Sequence, residues 1–362
     1  MSVPLRICLL SERLKPPYDE GFKNVAVNLI RALGQRHHLL ALTCFGADDP
    51  TLGLRDVPAN RLLLSSALAR AIGDFQPDML YYLPTASTTL FGLMRARVLS
   101  LYARRKPVAL VALQPRRLGR WSPLARFLSP DLILATTPAV KAALPSLRCP
   151  VVAVPLGVDA GLFRPAEPGH KARLRAKYGL PAQGWVLLHV GHIKGERNMQ
   201  ALARLQAEAA NHADDAGLQV LVVGSTSTHQ EAAARQQLVD SGVRVIDGYL
   251  PIVEAYQMAD AYIFPVVEEI AAIGVPLSIL EAMACNLPVL TTPFGGLPGL
   301  FQERPEQGFR YLRDQAEWMA AIRATRQLAA ADTRALVAPY TWPRVAEQLV
   351  EAVLRHVRSA GR

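Results

Sequence analysis

Two basic side chains stand just beyond an apolar run, at the point where a parallel strand would end. Lys194 and Arg197 follow Trp185–Val190 in a short polar stretch that opens with Gly191. Ligands of open α/β sheets bind beyond the carboxyl ends of the strands, so cations at this point suit the charge of phosphate groups. An ordinary charged loop is the alternative interpretation of the same two residues.

A carboxylate, Glu281, lies within the apolar stretch Leu280–Cys285. Burying a carboxylate without a partner is costly, so Glu281 requires a bound ligand, a helix-capping role or an ion pair. The backbone from Gly274 to Ser278 leads into the same predicted helix. We expect its N–H groups and the helix N-terminus to form a binding site for anions.

Common signatures of other phosphate-binding and metal-binding proteins are missing. No G-x-G-x-x-G follows the first predicted strand and no G-x-x-x-x-G-K-[ST] occurs, which argues against an NAD-dependent enzyme or a P-loop protein. The four cysteines are widely scattered, with no C-x-x-C and no histidine pair at ligand spacing. Neither a disulfide framework nor a structural zinc site is therefore predicted, and a reducing compartment is the default.

The elements that must position these residues alternate between strand and helix. A chain of 362 residues, 51% hydrophobic and 19% charged, is long enough for two packed domains and is not of disordered composition. Strands separated by helical segments indicate parallel sheets covered on both faces. The predicted strands are Leu5–Leu10, Leu39–Cys44, Met79–Tyr82, Val108–Leu113, Leu132–Ala135, Val151–Val154, Trp185–Val190, Leu218–Val223, Val243–Ile246, Ala261–Phe264 and Val289–Thr291. The Pro- and Gly-bearing stretch Pro155–Pro168 separates the two series, so a ligand cleft between two doubly wound domains is expected.

Positive charge is concentrated in the first half of the chain. Residues 1–165 contain 21 Lys and Arg and 10 Asp and Glu, a net charge of +11, whereas the remaining residues carry −1, which gives +10 in total. The excess is densest over residues 95–126, where basic and apolar residues alternate, a pattern that suits an anionic membrane surface. A solvated arginine-rich face is the alternative, whereas no nucleic-acid motif accompanies the charge. The basic residues of this stretch are Arg95, Arg97, Arg104, Arg105, Lys106, Arg116, Arg117, Arg120 and Arg126.

Apolar runs long enough to span a membrane are not found in the sequence. The first apolar run, Leu5–Leu10, contains Arg6 and has no signal-peptide cleavage pattern after it. A cytoplasmic protein, peripheral on the inner face of the membrane if the basic stretch binds lipid, is therefore predicted.

Five segments, in this order, resemble glycosyltransferase family 4, whose members have the GT-B fold. The segment 16–21 resembles the family's glycine-containing donor loop, and 154–165 resembles its P-x-G-V-D-x-x-x-F-x-P linker. The segment 190–198 resembles its G-R-x-x-x-E-K-N motif, and 276–285 the helix that carries the second glutamate of E-x7-E. Tyr340–Trp342 resembles the start of the last helix, which in the family crosses back to the N-terminal domain.

The resemblance implies an α/β protein with two Rossmann-like parallel-sheet domains facing each other across a cleft. The N-terminal, acceptor-side domain would comprise residues 1–165 together with the C-terminal helix 343–362. The domain that binds the nucleotide sugar would comprise residues 166–342.

The resemblance also implies roles for particular residues. Lys194 and Arg197 would stabilise the leaving diphosphate, and Glu281 would accept hydrogen bonds from the ribose hydroxyls. The backbone at Tyr249–Pro251 falls where the family meets the nucleobase. The implied donor-binding residues are Gly21, Gly191, His192, Leu250, Gly274, Ser278 and Glu281.

The sequence departs from the family pattern at three positions near the transferred sugar. Strict E-x7-E spacing places Ile273 where the first glutamate belongs. A four-residue insertion, 270–273, would instead make Glu269, or its neighbour Glu268, the catalytic carboxylate, the alternative being an exposed acidic loop. His192 replaces the family's arginine, and Gln114 stands where many members carry a histidine, so Gln114 is expected to bind a sugar hydroxyl without acting as a base.

The leading hypothesis is a retaining, metal-independent glycosyltransferase without a cofactor. It would transfer a sugar from a nucleotide-diphosphate sugar to a sugar or lipid-linked acceptor of the cell envelope. The catalytic candidates are Arg197, Lys194, Glu269 and Gln114, and neither a metal site nor a nucleic-acid partner is expected. A non-catalytic GT-B scaffold that binds nucleotide sugars is the first alternative, and another GT-B enzyme, an epimerase or phosphorylase, is the second.

Overall fold

The computed structural model describes residues 3–360 apart from 86–87, 115–121, 145–146, 226–229 and 247. The strands are β1 (Arg6–Ser11), β2 (His38–Thr43), β3 (Leu54–Asp56), β4 (Met79–Leu83), β5 (Val108–Ala112), β6 (Leu132–Ala135), β7 (Val151–Ala153), β8 (Trp185–Val190), β9 (Leu218–Val223), β10 (Arg244–Ile246), β11 (Ala261–Phe264), β12 (Val289–Thr291) and β13 (Phe309–Tyr311). The helices are α1 (Gly21–Gly34), α2 (Ser66–Phe75), α3 (Leu90–Tyr102), α4 (Ser122–Ala125), α5 (Pro138–Ala143), α6 (His170–Lys177), α7 (Met199–Ala210), α8 (Ala232–Asp240), α9 (Ile252–Met258), α10 (Leu277–Ala284), α11 (Leu297–Leu300), α12 (Trp318–Arg326), α13 (Thr333–Val337) and α14 (Trp342–Ala360). The short strands β3 and β13 were not among the predicted ones.

The chain divides into two compact units whose boundaries differ from the predicted ones. Unit 1 comprises residues 1–156, 273–275 and 342–362, and unit 2 comprises 157–272 and 276–341. The first boundary falls after Leu156 because the Val158 N–H donates to the Tyr340 carbonyl at 2.9 Å, and the Phe163 ring packs on Tyr256. These contacts tie most of the predicted linker to unit 2.

Unit 1 is built on a seven-stranded parallel sheet of order β3-β2-β1-β4-β5-β6-β7. The strand order reverses between β1 and β4, which is where ligands of doubly wound sheets bind. One face of the sheet is covered by α2 to α5, whose apolar side chains join a single core cluster with the strands. The helices α1 and α14 share the other face, where Leu29, Val345 and Leu349 lie against Val111 and Leu134.

Unit 2 repeats this design with a six-stranded parallel sheet of order β10-β9-β8-β11-β12-β13. The order reverses between β8 and β11, which pair in register from Ala261 opposite Leu187. Candidate donor-binding residues follow both strands, so the sheet itself brings them to one edge. The fold is therefore the predicted pair of doubly wound α/β sheets.

The C-terminal helix α14 belongs to unit 1, as predicted. Its buried side chains Val345, Leu349 and Val353 recur at the spacing of one helical face. Arg36, beyond the end of α1, forms an ion pair with Glu347 of α14. The helix α14 and the strand β1 thus belong to the same unit.

Two further features bear on the sequence-based expectations. In the described part of the chain, no helix is both long enough and apolar enough to cross a membrane. All four cysteines are free thiols, and Cys8, Cys44 and Cys285 are buried.

Candidate functional site

Arg197 lies over the turn that follows β8. A Cβ atom built on Gly191 would stand 2.8 Å from Arg197 Nη1 and 3.2 Å from His189 Nε2. Only glycine leaves room for the guanidinium at this point, which gives a steric reason for Gly191. The backbone turns through Asn198, whose φ of 58° is left-handed and whose side-chain amide donates to the Pro265 carbonyl at 3.1 Å. Arg197 is therefore held between the carboxyl ends of β8 and β11.

The remaining residues of this turn are more exposed. Lys194 Nζ lies 4.0 Å from Glu196 Oε1, and His192 is half-buried. Glu231, which precedes α8, accepts the Gly195 N–H at 2.9 Å, and its own N–H donates to the Ile193 carbonyl at 3.0 Å. The turn is fixed from two sides, while the Lys194 ammonium stays partly open to solvent.

Tyr262 of β11 joins the end of β8 to the first turn of α10. Its hydroxyl lies 2.7 Å from Ser278 Oγ and 3.5 Å from the Val190 carbonyl. The first amides of a helix have no partner within the helix, so the N-terminus of α10 offers donors beside the end of β8. The predicted residues Gly191, Arg197 and Ser278 are thus brought together at the point where the strand order reverses.

Glu281 lies one turn further along α10. The Tyr256 hydroxyl donates to its Oε2 atom at 2.7 Å. Burial raises the pKa of the Glu281 carboxyl to about 7, and the Tyr256 hydrogen bond opposes that rise. Tyr256 thus provides, for one carboxylate oxygen, the hydrogen-bond partner that a buried Glu281 was expected to need.

The loop after β11 points its acidic residues outward. Glu268, Glu269, Val267 and Ile270 are exposed, whereas Ala271 and Ala272 are buried. The alternative of an exposed acidic loop therefore describes Glu269 in this structure. Its role as the catalytic carboxylate stays a prediction.

Three other predicted residues lie in unit 1 around the segment 273–275. The Gly274 N–H donates to the Leu113 carbonyl at 2.8 Å, one residue before the half-buried Gln114. Ile273 Cδ1 lies 3.2 Å from where a Cβ of Gly21 would stand, at the start of α1. The segment therefore links the start of α1 to the end of β5, and Gly21, Gln114 and Gly274 cluster there.

This arrangement corrects the role expected of Gly274. Its N–H was predicted to face an anion, but the hydrogen bond to the Leu113 carbonyl occupies it in this structure. The reason for glycine here is again steric, since a Cβ would lie 2.9 Å from Thr137 Cγ2. Leu250, the last of the predicted donor-binding residues, is buried just before α9 next to the exposed Tyr249.

Arg95 is not part of an exposed basic surface, contrary to the sequence-based expectation. Its Nη1 atom donates to Glu12 Oε1 at 2.6 Å, and Glu12 is 4% exposed at the end of β1. The Tyr82 hydroxyl also donates to Glu12, and Thr85 Oγ1 lies 3.0 Å from Glu12 Oε2. A buried charged network thus occupies the reversal point of the first sheet. Arg116, Arg117 and Arg120 of the predicted stretch lie outside the described residues.

The sequence analysis did not identify the buried side chains that lie next to Arg197, Ser278 and Glu281. Tyr262, Tyr256 and His189 were treated as apolar or unremarked members of a strand or helix. The signal that sequence does offer is a histidine inside the otherwise apolar strand β8, because buried parallel strands consist mainly of apolar residues.

No cluster of three or more His, Cys, Asp or Glu side chains that could hold a metal ion occurs within the described ranges. Metal independence of the chemistry stays a prediction, which a chelator tests directly.

The two doubly wound parallel sheets, together with the solved structures compared below, give this protein the GT-B glycosyltransferase fold. Residues 184–329, most of unit 2, match the family described as glycosyl transferases group 1. The predicted resemblance to GT-B glycosyltransferases of this group is thereby confirmed.

Solved structures support the fold over nearly the whole chain. A glycosyltransferase from Rickettsia africae superposes with a TM-score of 0.76 at 13% identity, covering 97% of this chain and 98% of its own. HepE from Anabaena, solved in complex with UDP-glucose, gives a TM-score of 0.74 at 17% identity, with 96% and 99% coverage. At these identities the likeness concerns the fold alone.

Curated relatives match over shorter stretches. The D-inositol 3-phosphate glycosyltransferase of Geodermatophilus obscurus is 33% identical over 215 residues, which is 55% of this chain and 46% of that protein. The sulfoquinovosyl transferase SQD2 of Arabidopsis thaliana is 25% identical over 340 residues, 84% of this chain and 63% of the relative. The chain thus spans less than two thirds of the length of either relative.

Proposed function

We propose that the protein is a retaining glycosyltransferase that transfers a hexose from a nucleotide-diphosphate sugar to a hydroxyl group of an acceptor. The observation that carries this proposal is the position of Arg197. Its guanidinium lies over Gly191 at the end of β8, next to the N-terminus of α10. A cation and a helix N-terminus at one sheet edge form a binding site for the two phosphates of such a donor.

The reaction needs charge stabilisation more than it needs a strong protein base. The bond between the anomeric carbon and the β-phosphate oxygen breaks, and a bond from the acceptor oxygen to the same carbon forms on the same face. The acceptor proton passes to the departing diphosphate. Arg197 and Lys194 stabilise the negative charge that builds on that diphosphate, and Gln114 orients a sugar hydroxyl.

Glu281 is proposed to bind the ribose of the donor. Its carboxyl is already held by Tyr256 on one oxygen, and ribose hydroxyls would donate to the group. Ligand hydrogen bonds that favour the carboxylate would lower its raised pKa, so donor binding and ionisation of Glu281 are coupled. UDP is the first nucleotide to test, because HepE was solved with UDP-glucose.

The first experiment is a thermal-shift screen of the intact protein against UDP, GDP, ADP and TDP and their sugar conjugates, with and without EDTA. A ligand that binds only the native state raises the melting temperature by mass action. We expect one nucleotide series to stabilise the protein equally in the presence of EDTA. Arg197→Ala should abolish most of that shift and lower transfer activity about 100-fold, by analogy with the loss of one charge-stabilising donor. Full activity of Arg197→Ala would refute the proposal.

A second candidate function is a non-catalytic scaffold that binds nucleotide sugars. The exposed position of Glu269 and the apolar Ile273 at the sugar-binding end of the motif favour it. Tight nucleotide binding without turnover on a broad acceptor panel would support this candidate over the transferase.

The acceptor is proposed to be lipid-linked or part of a cell-envelope polysaccharide, with the protein peripheral on the inner face of the membrane. The helices α3 and α4 cover the same face of the unit 1 sheet, and their outer sides carry large exposed apolar residues. Two guanidinium groups lie near the Phe127 ring, whose centroid is 5.6 Å from Arg126 Cζ and 5.0 Å from Arg148 Cζ. The docking surface comprises the exposed residues Phe91, Leu101, Leu124 and Phe127 with Arg97, Arg104, Arg105, Lys106, Arg126 and Arg148.

This combination of exposed rings and cations fits anionic lipid headgroups over an apolar layer. Co-sedimentation with vesicles of 30% anionic and 70% zwitterionic lipid should retain the protein, and vesicles of zwitterionic lipid alone should not. Phe127→Ala with Leu124→Ala should lower the bound fraction, while Leu162→Ala, an exposed apolar residue of unit 2, should not. Equal binding to both vesicles would contradict the electrostatic part of the proposal, and no binding would contradict all of it.

A further inference from the structure

His189 is the polar residue at the centre of unit 2 that the proposed function leaves unused. It lies in β8 with no exposed surface, between the rings of Tyr262 and Phe264. Its Nδ1 atom is 3.0 Å from the Ile263 carbonyl oxygen. Because a carbonyl can only accept, Nδ1 carries the proton, and the neutral ring presents a lone pair on Nε2.

Burial supports the neutral form of the ring. Burial, helped by the nearby charge of Arg197, lowers the pKa of His189 to about 4, and the hydrogen bond to the Ile263 carbonyl opposes that fall. At neutral pH, His189 is therefore a fixed hydrogen-bond acceptor rather than a second cation beside Arg197.

Two buried polar atoms near Gly191 have no partner among the described residues. One is His189 Nε2, an acceptor, and the other is Arg197 Nε, a donor. The Gly191 turn is common to both side chains, since a Cβ there would touch His189 Nε2 and Arg197 Nη1 alike. Unsatisfied buried polar atoms are costly and rare in native proteins, so a complementary pair at one site requires an explanation.

Packing alone does not explain His189. A phenylalanine would stack on Tyr262 and Phe264 in the same way and would bury no polar atom. Nδ1 of His189 instead donates a hydrogen bond to the Ile263 carbonyl. This hydrogen bond fixes the tautomer and directs Nε2 toward the Gly191 turn.

We propose that His189 is a positioning residue for Arg197: in the donor-bound state an Arg197 N–H group donates to His189 Nε2, which turns the opposite edge of the guanidinium toward the diphosphate. The inference rests on the proposed function, because it assumes that Arg197 binds phosphate. A guanidinium held at one edge presents two parallel N–H groups at the other, the geometry that binds phosphate oxygens bidentately.

The experiment measures the affinity of the intact protein for the nucleoside diphosphate found in the thermal-shift screen, and for the corresponding nucleoside, by calorimetry. His189→Phe should weaken diphosphate binding about tenfold and leave nucleoside binding unchanged, because only the phosphates contact Arg197. His189→Gln, whose amide oxygen can accept a hydrogen bond, should restore part of the affinity. A structural role alone would weaken both ligands together.

A double-mutant cycle gives an independent readout. In an Arg197→Met background, His189→Phe should cause no further loss, since the side chain it positions is gone. Additive losses, unchanged diphosphate affinity in His189→Phe, or equal losses for nucleoside and diphosphate would each overturn the inference. If His189→Phe does not fold, His189→Leu, which also removes the acceptor, takes its place in the binding measurement and in the cycle. A wild-type protein that binds no nucleoside diphosphate would instead refute the proposed function itself.

Discussion

The Tyr256 hydroxyl and the Glu281 carboxylate form a 2.7 Å hydrogen bond that joins α9 to α10 inside unit 2. The tyrosine ring is fully buried and packs edge-on against Phe163. Its position is therefore fixed by the core, and through it the core fixes the direction of the Glu281 side chain.

The stability of the protein should carry a pH dependence that comes from Glu281. Its pKa is about 7 in the folded protein and about 4.5 in the unfolded chain, so the folded state binds the extra proton. The contribution of this group to the free energy of unfolding falls as the pH rises through that window. Urea denaturation should show Glu281→Gln gaining stability relative to wild type between pH 5 and pH 8. A constant difference across that range would contradict the raised pKa.

Tyr256→Phe provides the matched control for this effect. The hydroxyl lowers the carboxyl pKa by its hydrogen bond, so its removal should move the transition to higher pH. A shift to lower pH would mean that the hydrogen bond favours the protonated carboxyl instead.

Substitution of Gly191 should disable the site while substitution of a neighbouring glycine should not. Gly191→Ala forces a methyl group to within 2.8 Å of Arg197 Nη1, which must move away from the end of β8. We expect nucleoside diphosphate affinity to fall about tenfold or more, with a stability loss of about 1–3 kcal/mol from overpacking. Calorimetric titration measures the nucleoside diphosphate affinity, and chemical denaturation measures the loss of stability.

Gly195→Ala is the control, because its new methyl group meets only Glu231 Oε2 at 3.5 Å, an ordinary contact. If Gly191→Ala and Gly195→Ala changed the nucleoside diphosphate affinity equally, the position of Arg197 over Gly191 would not matter for binding.

Gly274→Ala should destabilise the protein by about 1–3 kcal/mol, because its methyl group would lie 2.9 Å from Thr137 Cγ2. Thr137 caps α5 by accepting the Val140 N–H on its hydroxyl oxygen. Serine retains that oxygen and lacks the buried methyl group, so Thr137→Ser alone should cost only about 1 kcal/mol and should rescue Gly274→Ala. Urea midpoints of the four proteins measure this, and a failure of the rescue would mean that the clash with Thr137 is not the cause.

Arg95→Met should leave the carboxylate of Glu12 buried without its cation. Breaking such a pair from one side costs about 3–5 kcal/mol, because the remaining charge has no compensation. Removal of both charges in Arg95→Met with Glu12→Gln should recover much of the loss. Arg97→Met, an exposed arginine of the same helix, should change the denaturation midpoint little.

The strand pattern of the sequence was sufficient to predict the doubly wound sheets, because fully buried parallel strands are continuous apolar runs such as Met79–Leu83. The strands β3 and β13 escaped prediction because each is a three-residue segment with an arginine at its centre, Arg55 or Arg310, so neither is a continuous apolar run. Tertiary pairing, rather than local preference, makes them strands. Arg95 was misassigned for a related reason, since no local pattern shows that its ion-pair partner is Glu12, far away in the chain.

The polar residues that follow the strands could be predicted from the sequence, but the buried side chains that contact them could not. Arg197 and Gly191 stand out in a polar segment after an apolar run, whereas Tyr262 and His189 act through atoms that a hydropathy pattern treats as part of a strand. The engagement of the Gly274 N–H by Leu113 could not be foreseen, because it depends on a contact between residues distant in sequence.

The chain passes from one unit to the other at four points, since 273–275 and 342–362 belong with 1–156. Neither unit is therefore a contiguous fragment of the polypeptide. A fragment ending at Leu156 would lack α14, leaving bare the apolar face of α1 and the sheet that Val345 and Leu349 cover. During synthesis on the ribosome, that face of the first sheet can be covered only after residues 342–360, which form α14, have been made.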